Sequence, residues 1–365
     1  MKNRKPQTAA AIPCELIMHP TEARYVDEHQ RLFQGCPTIA ITRGGRIYLG
    51  WYSGGDREPH MDNFNLLVRS DDLGKTWSRP LLVIPSDRQR WVQALDIQLW
   101  TAPDGRLFVF WVQNNTHPAE PGYTGWAVDG FVFDDWTHAE WVSVCDDPDA
   151  DEPVFSAPRY LDKGFLRCKP LALDNGAYMN FNYDQASDRY GYSLSFDQGR
   201  TYRHAYGAVK LPTPFDEAMA YQKRDGSVRL FARTSVGEIA ESTSFDRGET
   251  WTEAKKTGLP NANTRLFVAR TPSGRVLLVN NDDSRSRRNM TVYLSDDDGA
   301  SWPHRRLIDG RDDLSYPDAD FYQGRIYLTY DRERCGAREI LFTSFTEEDI
   351  LHPDRPIDLQ IVSKP

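Results

Sequence analysis

The sequence predicts an all-β protein, a single six-bladed β-propeller domain spanning residues 1–365, with a lead-in over about residues 1–30 and a closing segment over about residues 350–365. Three observations predict this fold. A chain of 365 residues exceeds the usual size of one simple hydrophobic core. Its composition, with 12% aromatic residues, 25 Gly and 23 Pro, favours short strands and turns. Two sequence elements also repeat along it.

The first repeated element is a glycine turn followed by a short apolar strand. The six glycines are Gly45, Gly105, Gly176, Gly226, Gly274 and Gly324, at intervals of 60, 71, 50, 48 and 50 residues. About 50 residues is the length of one four-stranded propeller blade, so each glycine is predicted to mark one blade. The longest interval contains the unrepetitive stretch 118–152, where a long loop or insertion is expected.

The second repeated element reads Ser-x-Asp-x-Gly-x-Thr-Trp, with small variations. Its four copies begin at Ser70, Ser195, Ser244 and Ser295, and the second and last blades lack it. Serine and aspartate side chains can bond the backbone of a turn, and glycine supplies a dihedral that other residues adopt with strain. The element therefore predicts a rigid strand–turn–strand corner.

Composition and charge exclude several classes of function. The formal net charge is −9, so the chain has no general electrostatic attraction to nucleic acid or to an anionic membrane. No stretch approaches the ~20 apolar residues of a membrane span, and residues 1–13 lack the apolar segment of a signal peptide, which predicts a cytoplasmic location. The five cysteines are scattered without metal-ligand spacing; we expect buried free thiols, no metal and no cofactor.

The four Ser-x-Asp-x-Gly-x-Thr-Trp elements resemble the Asp boxes of the sialidase (neuraminidase) superfamily, whose members are six-bladed propellers. The likeness runs from about residue 35 to about residue 350. It extends to a bacterial sialidase-like group that carries a Ser-Tyr-Pro-Asp stretch, here 315–318, and a Tyr-Asp-x-x-Arg stretch, here 330–334. The resemblance implies an exo-acting glycoside hydrolase that removes a terminal, possibly acidic, sugar from an oligosaccharide.

The resemblance also implies three catalytic residues. Tyr316 stands at the position of the sialidase nucleophile, a phenol that avoids setting a carboxylate against an anionic sugar. Glu217 is the expected partner that takes the phenol proton. Asp62, in the loop before the first Asp box, is the expected acid/base, with Glu58 and His60 as rivals in the same loop.

Three arginines bind the substrate carboxylate in sialidases, because guanidinium donors match a carboxylate in pairs. Here Gly35 stands where the first arginine is expected, Arg233 lies near the second position and Arg287 matches the third. The further residues implied to contact substrate are Arg57, Glu58, Asp96, Lys169, Arg265, Asp318 and Arg332.

Two other functions fit the same sequence. A carbohydrate-binding propeller without catalysis would explain the missing first arginine. A polysaccharide lyase would use Tyr316 as the base that removes the proton beside a uronate carboxylate. The expected partner in each case is an oligosaccharide or glycoside, and the sequence leaves the oligomeric state open.

Overall fold

The computed structural model describes residues 8–134 and 137–365. Six blades of antiparallel strands follow one another along the chain, each formed by a continuous stretch, and they close into a six-bladed β-propeller as predicted; the third blade also holds a separate two-stranded sheet. Residues 1–7 of the predicted lead-in lie outside the described part. The rest of the lead-in contributes a short edge strand to the first sheet, a short helix α1 (Ala23–Val26) and a 3-10 turn (Glu28–Gln30).

Each of the first three blades has one or two short strands in addition to the four strands of a propeller blade. Blade 1 contains β1 (Ile17–Met18), β2 (Phe33–Ile41), β3 (Ile47–Gly54), β4 (Phe64–Ser70) and β5 (Leu82–Pro85). Blade 2 contains β6 (Val92–Thr101), β7 (Leu107–Pro118), β8 (Phe131–Phe133), β9 (Ala139–Cys145) and β10 (Arg159–Lys163). Blade 3 contains β11 (Phe165–Leu166), β12 (Leu171–Ala172), β13 (Tyr178–Asn180), β14 (Asn182–Tyr183), β15 (Arg189–Ser195) and β16 (Arg203–Val209).

The last three blades have four strands each. Blade 4 contains β17 (Ala218–Gln222), β18 (Val228–Ala232), β19 (Glu238–Ser244) and β20 (Lys255–Pro260). Blade 5 contains β21 (Phe267–Arg270), β22 (Val276–Asn281), β23 (Met290–Ser295) and β24 (His304–Asp309). Blade 6 contains β25 (Leu314–Tyr322), β26 (Arg325–Arg332), β27 (Glu339–Thr346) and β28 (Leu359–Ser363), with helix α2 (Glu347–Leu351) between the last two.

Blades 1 and 6 meet at a polar seam. Three carboxylates of blade 6 accept hydrogen bonds from backbone N–H groups of β2: Asp331 from Cys36 (2.7 Å), Asp318 from Ile39 (2.9 Å) and Asp320 from Ile41 (2.9 Å). Bonds from N–H groups to a charged acceptor are among the stronger hydrogen bonds in proteins. No strand pairing crosses the seam, so these side chains hold it together with a backbone bond from the N–H of Gln34 to the oxygen of Arg334 at 3.0 Å.

The innermost strands of blades 1, 2 and 6 each contain a β-bulge. The pairing register shifts between Gly35 and Thr38, between Leu95 and Gln98, and between Ser315 and Asp318. Each bulge holds a non-glycine residue at positive φ: Cys36 at 57°, Asp96 at 45° and Tyr316 at 55°. A bulge redirects the side chain that it carries. These three side chains accordingly leave the alternation of their strands and turn towards the propeller axis.

The four Asp boxes form the predicted corners. In the first, Ser70 Oγ donates to Asp72 Oδ1 (2.8 Å) and accepts from the N–H of Gly74 (2.8 Å), while the N–H of Thr76 donates to Asp72 Oδ1 (2.9 Å). Each box follows the third strand of its blade and so lies at the end opposite to where the innermost strand begins. The boxes are therefore on the face of the propeller away from the site described below.

The stretch 118–152 contains the expected insertion. Its strand β8 pairs with the end of β7, and Val128 and Phe133 pack against Met61 of the blade 1 loop. Four cysteines are buried as expected, but Cys335 is exposed because it lies in the loop between β26 and β27. Among the described residues, no helix is long and apolar enough to cross a membrane.

Candidate active site

A cavity of about 270 Å³ lies at the propeller axis, where the innermost strands begin. All six blades contribute residues to its wall. These residues are Glu58, Pro59, Gln93, Leu95, Asn114, His138, Phe165, Arg167, Tyr183, Gln185, Phe215, Arg233, Arg287, Tyr316 and Arg334. Of the residues predicted from the sequence, the cavity wall contains Tyr316, Glu58, Arg233 and Arg287.

Tyr316 and Glu217 meet at the floor of this cavity. The Tyr316 hydroxyl donates to Glu217 Oε1 at 2.5 Å, although 99 residues separate the two in sequence. Arg233 Nη1 lies 2.9 Å from Glu217 Oε2 and also donates to the Tyr316 hydroxyl oxygen at 3.1 Å. The tyrosine and the carboxylate that the sequence predicted as partners are thus in contact, and Arg233 bridges them.

The electrostatics of this pair keep the proton on tyrosine. Burial raises the pKa of Tyr316 above its usual value, and nearby Arg167 and Arg233 oppose that shift only in part. Burial alone would also raise the pKa of Glu217, but Arg233 and Arg167 outweigh it and lower that pKa to about 2. Tyr316 is therefore a neutral phenol bonded to an ionised carboxylate.

Four guanidinium groups surround the Tyr316 ring. The guanidinium carbons of Arg334, Arg167 and Arg287 lie 4.1, 5.2 and 5.8 Å from the ring centroid. Arg265 lies 5.0 Å from the same ring. An aromatic face attracts cations at these distances, so the ring and the guanidinium groups hold one another in place.

Arg287 differs from the other arginines of the cavity because no carboxylate pairs with it. Its Nη2 donates to the backbone oxygen of Asn263 at 3.0 Å, and it forms no ion pair within residues 8–134 and 137–365. Burial, together with Arg334 and Arg233 close by, lowers the pKa of Arg287. Even a half-buried charge is stabilised by a counter-ion. This part of the cavity therefore favours an anionic ligand.

Arg334 fills the space beside Gly35, the position at which the resemblance predicted the first arginine. A Cβ atom on Gly35 would lie 2.7 Å from Arg334 Cδ and 2.8 Å from Arg334 Nε. Arg334 reaches this place from blade 6, where its Nε pairs with Asp331 Oδ2 at 3.0 Å. Sequence reasoning missed Arg334, although it closes the Tyr-Asp-x-x-Arg stretch and the glycine at position 35 was the signal of a vacated space.

The carboxylate of Glu58 forms ion pairs with two arginines of the cavity wall. Its Oε1 lies 3.1 Å from Arg167 Nη2 and its Oε2 lies 3.2 Å from Arg334 Nη1. The Glu58 side chain is 23% exposed, which is more than the side chains of its partners Arg167 and Arg334. It belongs to the loop between β3 and β4, the loop in which the sequence predicted the acid/base.

Asp96 lies behind the cavity wall and is connected to it by an ion pair with Arg167. The Asp96 Oδ2 atom is 2.6 Å from Arg167 Nη2, and Arg167 Nη1 lies 3.5 Å from Glu217 Oε1. Burial raises the pKa of Asp96 to about 7, with Arg167 opposing the shift. Arg167, which sequence reasoning did not select, is thus the charge that links Asp96, Glu58 and Glu217.

The side of the cavity formed by blades 2 to 4 is aromatic. Phe165 and Tyr183 stack with centroids 5.0 Å apart, and the His138 ring meets the edge of Phe165 at 4.6 Å. Burial lowers the pKa of His138 to about 3, with a further contribution from Arg167, so the imidazole is neutral near pH 7. Arg167 lies over the Phe165 ring at 4.7 Å and Arg233 lies over the Phe215 ring at 5.1 Å, so this side of the cavity presents aromatic rings and cationic groups together.

Arg265, Lys169 and Asp318 lie below the cavity. Arg265 donates to four backbone oxygens, those of Arg167 (2.7 Å), Pro37 (2.9 Å), Tyr316 (3.0 Å) and Pro317 (3.2 Å). Lys169 Nζ lies 3.6 Å from Asp318 Oδ2 and donates to the backbone oxygen of Ile39. The predicted substrate contacts of these residues have no geometric support, because their polar groups are committed to joining blades along the axis.

Arg57, Asp62 and Arg332 lie outside the cavity wall. Asp62 Oδ1 pairs with Arg88 Nε at 2.9 Å, and the Asp62 side chain is 53% exposed. Arg57 is exposed and pairs with Asp56, its neighbour in sequence. Arg332 pairs with Glu339 and Glu333. The structure brings none of the three to Tyr316; in the acid/base loop it brings Glu58 instead.

Two clusters of potential metal ligands occur among the described residues, Cys36–Glu58–Asp96 and His60–Asp62–Asp129. In the first, both carboxylates are paired with arginine, which would repel a cation. In the second, Arg88 pairs with both aspartates. The chemistry of neither cluster suits a metal ion.

The comparison with family models decides the relationship. A model described as a BNR repeat-like domain matches residues 45–326. The chain belongs to the BNR repeat-like domain family. The superfamily predicted from the Asp boxes is thereby confirmed.

Solved structures similar to this BNR repeat-like protein share its fold at low identity. A Hadza microbial sialidase, Hz136, is 18% identical, with a TM-score of 0.70 over 90% of this chain and 68% of that one. An intramolecular trans-sialidase from Ruminococcus gnavus is 16% identical, with a TM-score of 0.69 over 92% and 98%. A protein of unknown function from Dyadobacter fermentans is 19% identical, with a TM-score of 0.64 over 95% and 97%. The comparison with curated proteins finds no match.

Proposed function

We propose that this protein is a glycoside hydrolase that removes a terminal acidic sugar from an oligosaccharide. One observation carries the proposal: the hydrogen-bonded pair of Tyr316 and Glu217 lies at the floor of a cavity that also holds Arg287, a half-buried guanidinium without a counter-ion among the residues described. A nucleophile with an adjacent base, next to a site that demands an anion, is the arrangement that cleavage of an acidic glycoside requires.

The anion would bind between Arg233, Arg287 and Arg334. Arg287 keeps its charge available, whereas Arg233 and Arg334 already face carboxylates. Arg334, entering from blade 6, stands in for the arginine that Gly35 replaces. Guanidinium groups grip a carboxylate in a fixed orientation, which would set the anomeric carbon above the Tyr316 hydroxyl.

Substrate binding would also activate the nucleophile. Arg233 holds down the pKa of Glu217, and a substrate carboxylate that shares Arg233 weakens that effect. Glu217 then becomes a stronger base and can take the Tyr316 proton as the phenol oxygen bonds to the anomeric carbon. The bond from that carbon to the leaving oxygen breaks at the same time, and the leaving oxygen takes a proton.

We assign that proton to Glu58. Glu58 is the carboxyl group of the predicted acid/base loop that lies beside Arg167 and Arg334, and an arriving carboxylate would compete with it for Arg334. Glu58 would give its proton to the leaving sugar, then take one from the water that attacks the anomeric carbon. The Tyr316 oxygen departs in that second step and recovers its proton from Glu217.

The test is turnover of a panel of 4-nitrophenyl glycosides of sialic acids, deaminated sialic acids, uronic acids and neutral deoxysugars. We expect one acidic member to be hydrolysed, and Tyr316→Phe to lose at least ~1000-fold in kcat, as expected when a nucleophile is removed. Tyr330→Phe is the matched control, since Tyr330 is a buried tyrosine of the same blade whose hydroxyl bonds Asp309 at 3.1 Å, away from the cavity.

Three results would contradict the proposal. Full turnover by Tyr316→Phe would remove the nucleophile. A product with near-ultraviolet absorbance from a double bond would indicate a lyase. Saturable binding of an acidic oligosaccharide without any released sugar would indicate a binding propeller.

A further inference from the structure

The loop that carries Glu58, residues 55–63 between β3 and β4, is held in part by blade 2. Its most deeply buried apolar side chain is Met61, which is 2% exposed. Met61 packs against Val128 and Phe133 of the blade 2 insertion, residues 118–133. These three residues, with Phe131 beside them, form a hydrophobic cluster of their own, apart from the clusters that fill the blades. The loop of one blade is thus anchored on an element of the next.

The insertion is a braced platform for Met61. Its strand β8 pairs with the end of β7, which ties it to the sheet of blade 2. The N–H of Ala119 donates to the backbone oxygen of Gly130 at 2.7 Å. Val128 and Phe131 exchange two backbone hydrogen bonds, each of 2.9 Å. These bonds fix the places of Val128 and Phe133, so the surface that receives Met61 is already formed.

Hydrogen bonds inside the loop couple Met61 to Glu58. The side chain of Asn63, which is 1% exposed, accepts the N–H of Gly55 at 2.7 Å and donates to the backbone oxygen of Arg57 at 2.9 Å. Arg57 directly precedes Glu58, and Met61 lies two residues before Asn63. Because Asn63 joins both arms of the loop, a displacement of Met61 is passed on to the backbone of Glu58.

Arg88 provides a second, weaker link between the loop and the insertion. Its Nε lies 2.9 Å from Asp62 Oδ1 in the loop, and its Nη2 lies 2.6 Å from Asp129 Oδ2 in the insertion. The side chains of Arg88, Asp62 and Asp129 are 43%, 53% and 48% exposed, and ion pairs this exposed contribute little. The apolar contact of Met61 is therefore the main link.

This link matters most when substrate is bound. Without substrate, Glu58 is held by ion pairs with Arg167 and Arg334. A substrate carboxylate that binds Arg334 removes one of these two pairs at the stage when Glu58 has to reach the leaving oxygen. The position of the carboxyl group then depends on the loop backbone, and small displacements of a catalytic group are costly.

We propose that the blade 2 insertion positions Glu58 for proton transfer, with Met61 as the positioning residue. The inference rests on the proposed function, because it assigns the insertion a role in the step that Glu58 performs there. It adds that residues outside the cavity wall control the protonation of the leaving group.

The test compares two glycosides of the acidic sugar identified by the panel, the 4-nitrophenyl and the methyl glycoside. Met61→Ala in the full-length protein should lower kcat by at least ~10-fold for the methyl glycoside, whose leaving oxygen needs a proton. The loss for the 4-nitrophenyl glycoside should be less than about twofold. Met61→Leu should keep both values within about twofold of wild type, since leucine has a volume close to that of methionine.

Two further single variants separate this role from a general loss of stability. Met179→Ala removes the same atoms from a buried site on the far face, where Met179 Cε would lie 2.8 Å from a Cβ atom on Gly248. It should leave the ratio of the two kcat values unchanged. Val128→Ala trims the insertion side of the cluster and leaves a smaller gap than Met61→Ala. It should lower the methyl glycoside rate selectively, by at least ~3-fold.

A double variant tests whether Met61 acts through Glu58. Once Glu58→Gln has removed the acid, its position no longer matters, so adding Met61→Ala should slow methyl glycoside turnover by less than about twofold. A further loss as large as that in the single variant would show that Met61 acts by another route, and the positioning role would be wrong.

Hydrogen exchange of the amides of residues 55–63, followed by mass spectrometry, provides a readout without catalysis. Met61→Ala should speed this exchange by at least ~10-fold and Met179→Ala should not. Unchanged exchange in both Met61→Ala and Val128→Ala would overturn the anchoring itself. Faster exchange with equal losses on both glycosides would overturn the role in proton transfer. A wild type that hydrolyses neither glycoside would be a different result, because it would reject the proposed function and the positioning role with it.

Discussion

Arg334 and Gly35 compete for one space, although they lie on different blades. A Cβ atom on Gly35 would stand 2.7 Å from Arg334 Cδ, so the side chain from blade 6 can lie there only because blade 1 supplies none. The backbone of Gly35 is outside the left-handed region, so a larger residue is excluded there by space and not by conformation.

This relationship predicts that the arginine can be moved from one blade to the other. Arg334→Ala should lower kcat/KM for an acidic glycoside by about 10- to 100-fold, the value of a charge-assisted hydrogen bond to a buried ligand. Adding Gly35→Arg to that variant should recover at least half of the loss on a logarithmic scale, because the new side chain enters the vacated space. Steady-state kinetics measure both effects.

Arg332→Ala is the control for that pair of variants. Arg332 was also predicted from the sequence to contact substrate, but it pairs with Glu333 and Glu339 outside the cavity. A loss for Arg332→Ala as large as that for Arg334→Ala would show that the loop is disturbed as a whole, and the specific role of Arg334 would be lost.

Glu58→Gln should separate substrates by their leaving groups. Loss of a general acid costs about 100-fold or more when the departing oxygen needs a proton, and much less when a nitrophenolate departs. The same variant should bind the free acidic sugar more tightly than wild type, since the Glu58 carboxylate then no longer competes for Arg334. Kinetics with paired substrates and calorimetry provide the two measurements.

Asp62→Asn distinguishes the two carboxylates of this loop. Asp62 is bonded to Arg88 and lies away from the cavity wall, so we expect wild-type kinetics with both kinds of leaving group. The reverse pattern, with the leaving-group effect in Asp62→Asn and none in Glu58→Gln, would restore Asp62 as the acid and require the loop to move.

His138 should make the protein less stable in mild acid. Its folded-state pKa of about 3 lies below the ordinary value of 6.5, so the folded state binds fewer protons than the unfolded state between these values. Stability from this group is therefore fully present above pH 6.5 and is lost as the pH falls towards 3. Between pH 7.5 and 5.0 the wild type should lose about 2 kcal/mol more unfolding free energy than His138→Gln.

Urea unfolding at the two pH values measures this difference. His352→Gln, at an exposed position near the end of α2, should behave as the wild type does. If His138→Gln lost as much stability in acid as the wild type, the imidazole would not be held in its neutral form by burial.

We expect Arg265 to contribute mainly to the stability of the fold. Arg265→Met leaves the backbone oxygens of Arg167, Pro37, Tyr316 and Pro317 without their donor, and we expect a loss of about 3 kcal/mol or more in unfolding free energy. Arg24→Met, which removes an exposed pair with Glu22, should cost less than about 1 kcal/mol. A stable Arg265→Met protein with a raised KM would instead support the substrate contact predicted from the sequence.

The sequence was most informative about features whose place in the fold follows from the repeat. The spacing of the glycine turns and Asp boxes predicted six blades, and the resemblance to sialidases then implied Tyr316 and Glu217 as partners. Both residues lie near strand starts, and strand starts in a propeller converge on the axis, which explains why two residues far apart in sequence meet.

The arginines were harder to place, because blade position alone does not say which way a long side chain extends. Arg265 begins a strand as a cavity residue would, yet the bulges of blades 1 and 6 present backbone oxygens below it, and it extends towards them. Arg334 lies in a loop whose path depends on hydrogen bonds within the loop. The empty space at Gly35 could have signalled a replacement, but not which residue would provide it.

The polar seam between blades 1 and 6 has one further consequence. Glu58 comes from one side of it, Tyr316 and Arg334 from the other, and Asp331 bonds both Arg334 and the backbone of Cys36 across it. Each blade can form its own sheet while the ring is still open, but the two halves of the axial cavity meet only when the ring is shut. Activity would therefore depend on closure of the whole ring. A protein with six intact blades but a broken junction between blades 1 and 6 would be inactive.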